Sequence, residues 1–266
     1  MMKFNTNSIE KPSIYLTFDA EPFWTNVPNR YGRSAWDNFD CPESTYWAFR
    51  FVKYCELNNL PATIFIVGKW AEKNKDFVRY IAKNKLFAIG SHSHWHEDLS
   101  SKTDYEFIQD VITSKRTLED ITGSEVVRFR APSFSITEEQ LILLEDCGYK
   151  IDSSISLSSR IYGGGQRLNE ITSNIITYPL DGMHFLNKNI TVLGGGYLRI
   201  FPTNTLRILS RIKLGNMIYL HPHDLPKTIM KFDKMTRFEN LRKAIRLGDM
   251  FSKLDILRRN YKFENF

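Results

Sequence analysis

Between Ser13 and Ser154 short apolar runs alternate with longer amphipathic stretches. The runs SIYLTFD, ATIFIVG, LFAIGSH, VVRFRAP and YKIDSS are rich in β-branched and aromatic residues, which predicts strands. The stretches ESTYWAFRFVKYCELNNL, WAEKNKDFVRYIAKNK, DYEFIQDVITSKRTLEDITG and TEEQLILLEDCG have helical spacing. Ser44 or Thr45 is expected to cap the first helix, and Gly123 and Gly148 to close the last two. Strands alternating with helices demand an α/β fold with a mostly parallel sheet, open or closed into a barrel. After Ser156 the pattern becomes irregular, with YGGGQ and LGGGYLRIFP. It resumes with a helix, TNTLRILSRIK, a last strand in NMIYLHPHDL, and a tail that reads as basic helices.

In such folds chemistry gathers where the strands end at their carboxyl side. Here the apolar runs stop at polar groups: Asp19 and Glu21, the histidines His92, His94 and His96, Arg130, Asp152, and His221 with His223 close behind. Half of the chain's six histidines fall within five residues. His92 and His96 share a face whether that segment is extended or helical; His94 joins them only if it is extended. Two imidazoles and a carboxylate form a facial set for Zn²⁺, Fe²⁺ or a similar ion. HEDLS lacks the second histidine of a zinc-protease helix. Of the acids in TFDAE, one can ligate a metal and the other can take a proton from water. Arg130 can hold a carboxylate in a fixed orientation. His221 is suited to protonating a leaving amine.

These motifs resemble those of the polysaccharide deacetylase family, the NodB-like carbohydrate esterase family 4, over residues 13 to 225. The resemblance implies a distorted (β/α) barrel and metal-dependent removal of acetyl groups from sugars. TFDAE departs from the family's usual T-F-D-D and matches a subgroup whose ligand lies one position later. Asp19 is then the base and Glu21 the metal ligand. H-S-x-x-H matches His92, Ser93 and His96, leaving His94 out. R-x-P matches Arg130 to Pro132, with the Ser133 N–H helping to hold the oxyanion. Asp152 matches the fourth motif loosely, and His221 matches the general acid of the fifth. The runs FRAPSFS, LGGGYLRIFP and YLHPHDL resemble the deacetylases of bacterial exopolysaccharide and surface-glycan biosynthesis.

The expected cofactor is one divalent ion, zinc first, with iron, cobalt, nickel and manganese as alternatives. The expected substrate is an acetylated sugar, a nucleotide sugar or a lipid-linked glycan. A cyclic amide or a formamido sugar would suit the same fold. A metal-free glycan-binding relative is the alternative of another class.

The remaining bulk properties fit one domain over residues 1–266: 266 residues, 42% of them hydrophobic, with 25% charged. The net charge of +6 is concentrated between Lys227 and Lys262, where eleven Lys and Arg face four Asp and Glu. The rest of the chain is nearly neutral, so no nucleic-acid partner is expected. The segment 226–266 is expected to be a basic helical extension of the 13–225 barrel. Its apolar residues Leu241, Ile245, Met250, Leu254 and Leu257 could either pack on the barrel or meet an anionic inner membrane face. Three cysteines without metal spacing, no leader-like apolar region and no long apolar run point to a cytoplasmic protein.

Overall fold

The structure is a computed structural model of the 266-residue chain. It describes residues 11–23, 33–38, 41–156, 174–185, 188–190, 192–212, 214–226 and 249–266. The strands are β1 (Ser13–Ala20), β2 (Ala62–Ile66), β3 (Phe87–Ser91), β4 (Arg128–Phe129), β5 (Ile151–Asp152), β6 (Ile176–Thr177), β7 (Met183–Phe185), β8 (Lys188–Ile190), β9 (Met217–Leu220) and β10 (Lys262–Glu264). The helices are α1 (Ala35–Asn38), α2 (Pro42–Leu57), α3 (Gly68–Lys73), α4 (Lys75–Ala82), α5 (Asp104–Thr122), α6 (Glu138–Asp146), α7 (Gly195–Ile200), α8 (Thr203–Leu209) and α9 (Met250–Asn260). One parallel sheet runs β10-β1-β2-β3-β4-β5-β6, with β9 also pairing with β1. β7 and β8 form a separate antiparallel hairpin. The fold is α/β, a parallel half-barrel of the distorted (β/α) NodB type.

β1 is the axis of this sheet. Its pleat sends Ile14, Leu16, Phe18 and Ala20 into the main core, among the helices. Tyr15, Thr17 and Asp19 therefore face the concave side. There Phe65, Leu180, Met217 and Phe266 form a smaller core, with Tyr15, Phe134, Tyr178 and Tyr219 packed against it. The Phe266 ring stacks on Tyr178 at 4.5 Å between centroids and 7° between planes.

Several local expectations shift for physical reasons. α2 begins at Pro42, earlier than Ser44 or Thr45, because a proline at the first helical position carries its fixed φ and loses no hydrogen bond. The second helical stretch breaks at Asn74 into α3 and α4. α5 opens with a capping box, Thr103 with Glu106, and Gly123 closes it at φ 68°.

The largest difference is at the chain's end, expected to be helical throughout. Helix α9 is followed by β10, which pairs in parallel with Ser13–Tyr15 of β1. Met250, Leu254 and Leu257 are buried in the main core, so these three side chains serve packing. Leu241 and Ile245 lie outside the described residues. Among the described residues no helix is long and apolar enough to cross a membrane.

Candidate active site

The strand ends converge because the parallel ladder continues one residue past each strand. His92 N–H donates to Ile66 O and Arg130 N–H to Ser91 O, both at 2.9 Å. Asp19 and Glu21, two residues apart, stay on one side of the β1 backbone and meet them there.

Arg130 is wholly buried and has a partner on each guanidinium nitrogen. Nη1 donates to Asp19 Oδ1 (2.8 Å) and Thr17 Oγ1 (2.9 Å), Nη2 to Ser153 Oγ (2.9 Å), and Nε to Ser153 O (3.3 Å). Its plane lies over Phe65, 4.2 Å from the ring centroid. The guanidinium thus cannot swing, and it fixes one carboxylate oxygen of Asp19 while the other faces the cleft. Asp19 Oδ2 is 3.9 Å from His92 Nε2 and 3.6 Å from His221 Nε2.

The second cluster is Glu21, His92 and His96, whose candidate ligand atoms all lie within 4.8 Å of one another. His96 Nε2 is 2.5 Å and His92 Nε2 3.8 Å from Glu21 Oε2. His92 Nδ1 donates to Arg130 O at 2.8 Å; a carbonyl can only accept, so Nε2 keeps its lone pair for the cleft. Burial, opposed by the Asp19 charge, pulls the His92 pKa down to about 4, which keeps the imidazole neutral. Burial would raise Glu21, but the neighbouring His96, His221 and His92 hold it well below the usual carboxylate range. Two imidazole nitrogens and an ionised carboxylate converge, with Glu21 and His92 buried and His96 half-buried, and fit a divalent ion of the Zn²⁺ type.

His94 turns away from this cluster. It is buried against Gly68, and its Nε2 is 3.6 Å from Glu72. The loop His92–His96 is held from below: Asp110 Oδ1 accepts the His94 N–H (2.7 Å), and Ser114 Oγ donates to Ser93 O (3.0 Å). Ser93 Oγ in turn accepts the His96 N–H at 2.9 Å.

His221 follows β9. Its Nδ1 is 2.9 Å from Asp224 Oδ2, which also accepts the His221 backbone N–H. Asp224 is ion-paired with Arg199 Nε at 3.2 Å, and His223 stacks on the His221 ring at 4.9 Å. Burial would lower the His221 pKa, but the Asp224 hydrogen bond and the charges of Glu21, Asp224 and Asp19 outweigh it and lift it to about 9. Burial would raise Asp224, but His223, His221 and Arg199 hold it far below its ordinary value. The pair is therefore a protonated imidazole held against an ionised carboxylate.

Ser133 is exposed, in a 3₁₀ turn over Pro132–Phe134 that follows Arg130. Ser93, His96, Ser133 and Phe134 have φ of 58°, 55°, 55° and 57°, and Asn59 is the other non-glycine residue with positive φ among those described. The left-handed region costs an L-residue roughly 1–2 kcal/mol, so the fold concentrates backbone strain around the site. Asp152 lies one layer back. It accepts from Ser154 N (2.9 Å) and Ser154 Oγ (2.5 Å), and that hydroxyl accepts the Ala131 N–H. Burial raises its pKa to about 6. It braces the Arg130–Ser133 loop.

Sequence reasoning passed over Thr17, Ser153, Asp224 and Arg199. Asp224 was visible as an acid three residues after His221, inside HPHD. Arg199 carries no local signal; only α7 brings it to Asp224. Two of the three glycines of LGGGY have a reason: a Cβ on Gly194 would sit 2.4 Å from the Tyr219 hydroxyl, and one on Gly195 1.9 Å from Asp224 Oδ2.

A parallel half-barrel with these groups at its strand ends is the architecture of the NodB-type deacetylases. The chain belongs to the polysaccharide deacetylase family, whose model matches residues 6–151. A second model, a domain of unknown function (DUF3473), matches residues 159–266. Among curated proteins, a peptidoglycan-N-acetylglucosamine deacetylase of Bacillus cereus is 32% identical over 84 residues, 32% of this chain and 30% of that protein. The uncharacterized protein YlxY of Bacillus subtilis is 22% identical over 80% of this chain and 56% of its own length. The chain thus spans about a third to about half of the length of these relatives.

Among solved structures, a putative polysaccharide deacetylase from Mycobacterium smegmatis aligns with a TM-score of 0.59 at 15% identity, over 97% of this chain and 94% of its own. A CE4 family pseudoenzyme from Bacillus anthracis aligns at 0.54 and 15% identity, over 97% of this chain and 64% of its own. Both show the likeness of fold.

Proposed function

We propose that the protein hydrolyses the N-acetyl group of an amino sugar in a surface glycan or its precursor, releasing acetate and a free amine. The observation that carries this reading is the placing of Asp19 Oδ2 and His221 Nε2, 3.6 Å apart, beside the Glu21–His92–His96 set. A proton acceptor and a proton donor stand on one small volume, as amide hydrolysis requires.

A divalent ion held by Glu21, His92 and His96 would polarise the acetyl carbonyl and make water a better nucleophile. Asp19, aimed by Arg130, takes the proton from that water. The Ser133 N–H receives the negative charge growing on the carbonyl oxygen; loss of one such donor typically costs on the order of 10²–10³ in rate. His221, kept protonated by Asp224, gives its proton to the departing nitrogen. The donor set favours zinc. Three free thiols, Cys41, Cys55 and Cys147, support a reducing, cytoplasmic location and hence a nucleotide-sugar or lipid-linked substrate.

The test is mass spectrometry of acetylated nucleotide sugars, lipid-linked sugars and oligosaccharides incubated with zinc-loaded protein. A loss of about 42 Da is deacetylation, and a loss of about 28 Da identifies a formamido substrate instead. Intact substrates in every arm, with no zinc retained by the protein, would support the metal-free glycan-binding alternative.

A further inference from the structure

Helix α7 touches Asp224 at two points one turn apart. Gly195 lets the helix backbone close on the carboxylate, and Arg199 reaches back to pair with it. Asp224 has no freedom left: His221 takes one oxygen, and Arg199, with His223 at 3.6 Å, flanks the other.

What holds α7 there comes from the far end of the chain. Lys253 of α9 is 0% exposed, and its Nζ donates to Leu198 O (2.5 Å) and Arg199 O (3.2 Å). These are carbonyls of the last turn of α7, which lack helical partners and carry the negative end of the helix dipole. Burying an ammonium is costly, and a lysine is almost never fully buried without partners. Packing α9 on the barrel requires only apolar residues, and Leu254 and Leu257 supply them. A cation in that position clamps one specific element.

We propose that Lys253 is a positioning residue for proton donation: it anchors α7 so that Gly195 and Arg199 lock Asp224, and Asp224 aims His221. This assigns to the region matched by DUF3473 the role of completing the donor half of the site, whose other half lies in the deacetylase-matched region. The inference rests on the deacetylase reading for its kinetic arm and on geometry alone for its spectroscopic arm.

The test uses the full chain, zinc-loaded, with Lys253→Met, and with Arg199→Gln in case the first variant does not fold. Nitrogen-15 NMR of the histidine side chains reads the His221 Nδ1–H bond to Asp224. It should be present in the wild type and weakened or lost in both variants. On an N-acetyl sugar found to be a substrate, kcat should fall about 10-fold or more with KM little changed, since a positioned general acid supplies 10²–10⁴. Hydrolysis of an activated acetyl ester, whose leaving group needs no proton, should fall less than about 2-fold. Equal losses on amide and ester, with the NMR signature intact, would reduce Lys253 to a structural role and overturn the proposal. If no acetyl amide is turned over by the wild type, the deacetylase reading fails, and the NMR comparison alone decides this one.

Discussion

The guanidinium of Arg130 shows how individual residues divide the work of the site. It is locked by Thr17, Ser153 and a ring face, and Asp19 receives the result as a fixed carboxylate. Asp19→Asn should retain bound zinc, measured by atomic absorption, and lose at least about 10³ in kcat, because the base goes and the Glu21–His92–His96 set remains. His92→Ala or His96→Ala should lose zinc and activity together, and full metal occupancy in either would overturn the ligand assignment. Chelation should do the same reversibly to the wild type, and added zinc should restore turnover. Asp224→Asn removes the main partner that raises His221, so the imidazole loses its proton at lower pH. The alkaline limb of the amide pH–rate profile should move to lower pH, and ester hydrolysis should not follow it.

At the scale of elements, the loop His92–His96 is an irregular segment stabilised by the helix beneath it. Asp110 of α5 is buried, and burial raises its pKa to about 6 although it accepts the His94 N–H. The native state therefore binds this proton up to a higher pH than the unfolded chain does. The stability linked to Asp110 is greatest below about 4 and declines as pH rises to about 6. A two-unit shift is worth on the order of 3 kcal/mol as an upper bound. Asp110→Asn keeps the acceptor and removes the titration. Urea unfolding at acidic and at mildly alkaline pH should show the variant gaining stability relative to wild type at the higher pH. A parallel pH dependence of the two proteins would count against this account.

For the whole molecule, the far end of the chain is part of the barrel. β10 pairs with the start of β1 on the edge that β2 takes further along, opposite β9, and Phe266 fills the concave face beneath Arg130. Phe266→Ala should cost about 3–5 kcal/mol, as aromatic truncations in cores do, and should depress the unfolding midpoint in urea. Activity should decline with stability, because Phe65, which Phe266 meets at 5.9 Å, is the face on which Arg130 rests. Unchanged stability would show that the concave core does not depend on this ring.

The sequence by itself determined the alternation of strands and helices, and with it the parallel sheet. It also determined which groups stand at the strand ends: Asp19, Glu21, His92, His96, Arg130 and His221. Those were legible because apolar periodicity is local, and a polar residue where a buried run stops has few reasons to be there. Asp152 was legible as a strand-end acid, but its place behind Ser154 was not. Only the tertiary structure decided the partners that come from far along the chain. Arg199 reaches Asp224 across 25 positions and Lys253 reaches α7 across more than 50, and neither has a local pattern that departs from an ordinary basic helix. The strand β10 is three residues long, too short for a period-2 signal, and its pairing follows from where α9 docks. Long-range contacts are set by packing and by the need to satisfy buried charge, and a run of neighbouring residues carries no record of either.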